Sequence, residues 1–202
     1  MTAIFLGLLG CNSVSGQIDA FKININTAVY IEDDEAYGSD GAIQILLATH
    51  GMDCAEWYDF EDDFWDEIQA LDLEDAEDEW KASLPEDWWL FNVIMRVDDI
   101  DEKQRGFEYT GVDWDEPLTD DDEARVLVAH YDDYPDADDI FDDIADNYSS
   151  DEGILQVTGH SPGESIKGNF QTTIKDIDGD TEGEVTIRFN ADRCDDLEKF
   201  YY

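Results

Sequence analysis

The chain has 202 residues, enough for one domain with a sizeable core. Its 54 acidic residues against 11 basic ones give a formal charge of −43. No basic patch is available to release counterions, which excludes direct nucleic-acid binding and charge-driven attachment to an anionic membrane surface. A hydrophobic share of 42 % with six tryptophans equally excludes a disordered acidic tail, which lacks the aromatics needed to offset ordering entropy. The acids are concentrated: residues 53–152 carry 38 acids and 5 bases, and residues 153–202 carry 10 and 5. Charge on this scale opposes compaction by self-repulsion. Salt relieves it, because the Debye length falls from about 8 Å at 0.15 M to about 3 Å at 1 M. Halophilic adaptation, cation binding at Asp clusters and imitation of a nucleic-acid backbone all fit such a composition.

In chain order, residues 3–9 (AIFLGLL) are apolar but far too few to span a bilayer, which takes about 20. They run into Gly10, Cys11 and the polar stretch NSVSG. The segment Leu8-Leu9-Gly10-Cys11 resembles the lipobox of bacterial and archaeal lipoproteins. That resemblance implies a lipidated Cys11 at the start of the mature chain, with residues 1–16 as signal remnant and tether. It also implies export, a lipid-membrane anchor and a site in the cell envelope, extracellular or periplasmic. The same residues also suit a first buried strand ending at Gly10. With Cys11 assigned to lipid, Cys54 and Cys194 remain as a pair, and an oxidising compartment would hold them as a disulfide. Closing so long a loop is worth on the order of 4–5 kcal/mol in the chain-entropy model. Two separate buried thiols are the alternative.

From Gly16 onward, Ile23, Ile25, Val29 and Ile31 alternate with polar residues, as in a strand. The acidic EDDEAYGSDG at 32–41 reads as a loop, and AIQILLATH at 42–50 as an antiparallel partner strand. The period then changes. Trp57, Phe60, Phe64, Ile68 and Leu71 recur at steps of three and four, which predicts an amphipathic helix over 53–82 with Asp53 as its N-cap. DWWLFNVIMRV at 87–97 is the most hydrophobic run of the chain and predicts a central strand covered on both faces. Further strands are expected at 105–114 and 125–131, and a short helix at 136–148 from Ile140, Ile144 and Tyr148. Residues 153–159, 165–175 and 183–192 read as three strands joined by glycine-containing turns. Their pattern, GxLxVTxxxxGxxIxGxF with a GxVTIxFxAxxC ending, resembles the C-terminal halves of β-rich secreted lipoproteins from myxobacteria and their relatives.

Candidate chemistry is sparse. Asp176, Asp178 and Asp180 in DIDGDTEGE match the first three ligand positions of a calcium loop. Thr181 and Ile187 stand where that loop needs Gly and Glu, so a hairpin tip is the better description, with weak calcium binding by the hard oxygen ligands of an acidic turn as the alternative. His50, His130 and His160 are isolated, and no CxxC, GxSxG or HExxH is present. With 54 acids, some carboxylate pair fits any spacing, so pairs alone do not argue for acid–base catalysis. The tryptophans could line a ligand cleft or belong to the core. Together these features predict one α+β domain over 17–202: an antiparallel sheet or sandwich of about seven strands with one long acidic helix packed on it. The expected role is that of an exported, lipid-anchored binding or structural protein, not an enzyme. The alternative is a soluble acidic DNA mimic or inhibitor that caps a basic partner.

Overall fold

The computed structural model describes residues 13–16, 23–33, 41–59, 88–97, 107–110, 123–131, 146–176, 181–195 and 197. They form nine strands: β1 (Ser13–Gly16), β2 (Thr27–Asp33), β3 (Gly41–Ala48), β4 (Trp88–Val97), β5 (Phe107–Thr110), β6 (Ala124–Tyr131), β7 (Asp146–Ser161), β8 (Ser165–Asp176) and β9 (Thr181–Arg193). Seven of them close into a ring, β2-β3-β4-β6-β7-β8-β9 and back to β2. Every joint is antiparallel except β2–β9, which is parallel. The exception is forced, because an odd ring of alternating strands must bring one pair together in the same direction.

The ring is one continuous curled sheet that turns at two corners. One corner lies within β7. Its first residues pair with β6, Leu127 opposite Ser149 through His130 opposite Asp146, and later ones pair with β5. A register shift between Ser150 and Gly153 marks the change, as bulges commonly do where a strand passes from one sheet to another. The amide of Val126 donates to Ser150 Oγ at 3.0 Å, where the β6–β7 ladder ends. At the other corner β9 divides its edge between β1, along Val185–Arg188, and β2, at Asp192 and Arg193.

Alternating side chains fill the ring. Tyr30, Ile43, Ile45, Leu47, Trp89, Phe91, Val93, Val126, Leu155, Phe170, Ile187 and Phe189 are buried in one cluster, joined by Ile23 and Ile25 from the segment before β2. On β8 and β9 the residues that alternate with them, such as Lys167, Gln171, Glu184, Arg188 and Asp192, are exposed, whereas the outer face of β2, β3 and β4 is covered. Val29, Ile31, Leu46, Ala48 and Trp88 pack there with Trp57, Cys194 and Leu197. Two covered faces explain why 88–95 carries almost no polar residue.

The predicted α+β architecture needs correction. The described residues are dominated by strands and contain no helix of seven residues or more, so among them no long helix packs on the sheet. Helix α1 runs over 54–59, and residues 60–87 lie outside the described residues. Its start matches the sequence signal. Asp53 Oδ1 accepts from the amides of Ala55 and Glu56 at 3.0 Å, and Glu56 Oε2 accepts from the Asp53 amide at 2.8 Å, a capping box. Trp57 then sits 6.2 Å from Trp88, fastening α1 to the outside of the sheet. The short helix expected at 136–148 is also corrected at its end: Asp146–Tyr148 open β7, and 136–145 lie outside the described residues. The purely antiparallel expectation fails at β2–β9, for the ring-closure reason above.

Candidate functional site

The parallel joint carries a cluster of titratable side chains from three strands. Tyr30 and Glu32 lie on β2, His160 at the end of β7, and Arg193 at the end of β9. Glu32 is the hub. Its Oε1 accepts from the Tyr30 hydroxyl at 3.3 Å and lies 3.3 Å from His160 Nε2, while Oε2 receives Arg193 Nη1. The Glu32 side chain is 8 % exposed and that of His160 1 %, so this carboxylate and its imidazole partner are out of bulk water. Arg193 also reaches Asp195 through Nε. Backbone bonds tighten the same place: the Cys194 amide donates to Tyr30 O at 2.9 Å, and the Arg193 amide to Glu164 O at 3.0 Å.

Burial, followed by the Glu32 charge, pushes the Tyr30 phenol up from 10.0 to about 12, against the pull of Arg193. The neighbouring backbone at Gly163 opposes the rise. Gly163 lies in the β7–β8 turn with φ 74°, a left-handed conformation that favours glycine. Both Glu32 oxygens are already engaged, and a buried charge so fully paired suits fastening better than proton exchange with a substrate.

Of the residues singled out from sequence, Cys54 and Cys194 are brought together as a disulfide, with Cα atoms 5.5 Å apart across 140 positions. The histidines are dispersed. His130 is buried and stacked on Trp89, centroids 3.9 Å apart and planes at 10°. His50 lies exposed and gives its carbonyl to Thr27 Oγ1 at 2.8 Å. Asp176 ends β8 opposite Tyr148, whereas Asp178, Asp180 and Cys11 lie outside the described residues. Among the described residues no group of three or more His, Cys, Asp or Glu is placed to hold a metal ion. Trp57, Trp88 and Trp89 are packing residues, and Trp65 and Trp114 lie outside the described residues.

The Glu32 cluster escaped sequence reading. Glu32 opens a run of acids that looks like a solvated loop, and its partner Arg193 stands 161 residues away. The one available signal was Arg193 beside Cys194, a cation held next to a bridging cysteine. No family model matches the chain, and neither the curated proteins nor the solved structures contain one similar to it. Among the described residues, no helix is long and apolar enough to cross a membrane.

Proposed function

We propose that this protein is exported, anchored by lipid at Cys11 and held at the cell surface or in the periplasm in a non-enzymatic binding or structural role. The observation that carries the reading is the Cys54–Cys194 disulfide, which uses two of the three cysteines and leaves Cys11 in its LLGC setting. Disulfides persist in oxidising compartments outside the cytosol. The filled ring supports a scaffold role, since its interior is occupied by its own side chains.

The tether would be short. Ser13–Gly16, read from sequence as part of it, pairs with β9, and two residues reach at most about 7 Å from Ser13 to Cys11. A lipid on Cys11 would therefore hold the ring close to the bilayer. The test is metabolic labelling with a fatty acid, with detergent-phase partitioning of the wild type and a Cys11→Ala variant. Label and partitioning that both vanish in the variant are expected. Equal partitioning of the two proteins without label would refute the anchor.

A further inference from the structure

We infer that the outward face of β7, β8 and β9 is a headgroup-facing surface, turned toward the bilayer that holds the Cys11 lipid. The inference rests on the proposed anchor and goes beyond it, because a lipid on Cys11 does not by itself choose which side of the ring meets the membrane. At outward positions β8 and β9 carry three cations, Lys167, Lys175 and Arg188, against two acids, Glu184 and Asp192. The whole chain has 54 acids against 11 bases, so these positions reverse its balance. Lys167 and Arg188 are exposed. Among the described residues the ion pairs gather at Glu32 and Asp195 and include neither of them. Exposed cations outside those pairs, in so acidic a chain, suit an anionic partner.

Ile154 supplies a second, independent observation. It is the one large apolar side chain exposed among the described residues, at 47 %, and it stands on the same face. The register runs from Ile154 of β7 to Gln171 of β8, Thr186 of β9 and Ser15 of β1. The next row on this face runs through Gln156, Asn169, Arg188 and Ser13. An apolar side chain set among cations, amides and hydroxyls suits the boundary between phosphate headgroups and acyl chains.

The register of β1 sets the distance. Ser13 pairs with Arg188, and two residues reach at most about 7 Å from Ser13 to Cys11. That is within the Debye length of about 8 Å at 0.15 M salt, so headgroup phosphates act on the nearest side chains with little screening. A chain of charge −43 held this close is repelled wherever its acids face the bilayer. The other side of the ring, where α1 packs outside β2, β3 and β4 and leaves Asp53, Glu56 and Asp59 exposed, is turned away by the same repulsion. The lipid supplies the attachment, and charge decides only the orientation.

The test is amine footprinting of the full chain in vesicles of mixed phosphatidylcholine and phosphatidylglycerol. Ala55→Lys adds a reporter amine at an exposed position of α1, and a Cys11→Ala version with the same vesicles gives the reference that no lipid holds. Acetylation at each lysine is counted by mass after digestion. Lys167 is expected to react about threefold or more slowly in the vesicle-held protein than in the reference, while the amine at position 55 reacts alike in both. Arg188→Glu is expected to keep the acyl mass and lose most of the protection at Lys167. Acyl mass together with a Lys167 as reactive as in the reference overturns this face and leaves the anchor standing. Absence of acyl mass sinks the anchor, and this face with it. Equal protection at Lys167 and position 55, or protection unchanged by Arg188→Glu, overturns an orientation set by charge.

Discussion

Three glycines in the β7–β8 hairpin give a graded test of the packing. A Cβ built on Gly168 lies 2.5 Å from Gln156 O and 2.5 Å from the Phe189 ring. The carbonyl belongs to the neighbouring strand, and the ring is 4 % exposed inside the filled ring of strands, so neither can retreat freely. Overpacking of this kind costs about 1–3 kcal/mol. At Gly153 the added atom falls 2.1 Å from Gln171 O and 2.9 Å from Thr172 Cα, so relief means prising β7 from β8. Gly153→Ala is therefore expected to cost about 3 kcal/mol or more. At Gly159 nothing lies within 4 Å and φ is not left-handed. Alanine there is expected to be neutral, or to stabilise by about 0.4–1 kcal/mol through lost unfolded-state entropy. Urea midpoints at constant slope measure all three. Phe189→Leu in the Gly168→Ala background is expected to recover part of the loss, a coupling of about 0.5 kcal/mol or more between touching residues. Gly168→Ala and Gly159→Ala variants of equal stability would refute this packing.

Other outcomes follow from the same structure. Replacing Cys54 and Cys194 together with serine releases a loop spanning 140 positions and is expected to remove about 5 kcal/mol, read as a large fall in the thermal midpoint; a midpoint within a few degrees of wild type would show that the bridge contributes little. Folding raises the Tyr30 phenol from 10.0 to about 12, so its contribution to stability is intact below about pH 10 and is lost as pH rises through about 12. Tyr30→Phe is expected to remove a step near pH 12 from the phenolate absorbance titration, and an unchanged titration would refute the assignment. Stability is expected to rise clearly from low salt to molar NaCl as the charge of −43 is screened, and equal melting temperatures would contradict a solvent adaptation.

The C-terminal hairpins were legible because alternation and turn glycines are local signals. The strands expected at 165–175 and 183–192 fall within Ser165–Asp176 and Thr181–Arg193. The run at 88–97 was legible for the same reason: a strand apolar at nearly every position needs cover on both faces, and both are covered. What escaped was set by distant partners. Val29 and Ile31 share the odd-numbered positions of Ile23 and Ile25, yet the first two face the outer cluster and the last two the ring interior. Residues 23–26 are not in strand, and β2 starts only at Thr27, whose hydroxyl is held by the carbonyls of His50 and Met52. Ring closure between β2 and β9 has no local signature at all. The disulfide followed from counting cysteines, whereas Glu32 and Arg193 beside it could be joined only by the fold.

Intact-mass measurement on protein recovered from its native membrane fraction tests the proposed role most directly. The expected species begins at Cys11, carries the mass of acyl groups and is two hydrogens lighter than the reduced chain because Cys54 and Cys194 are joined. A chain beginning at Met1 in the soluble fraction, without acyl mass, would contradict the lipid anchor and move the search to basic soluble partners.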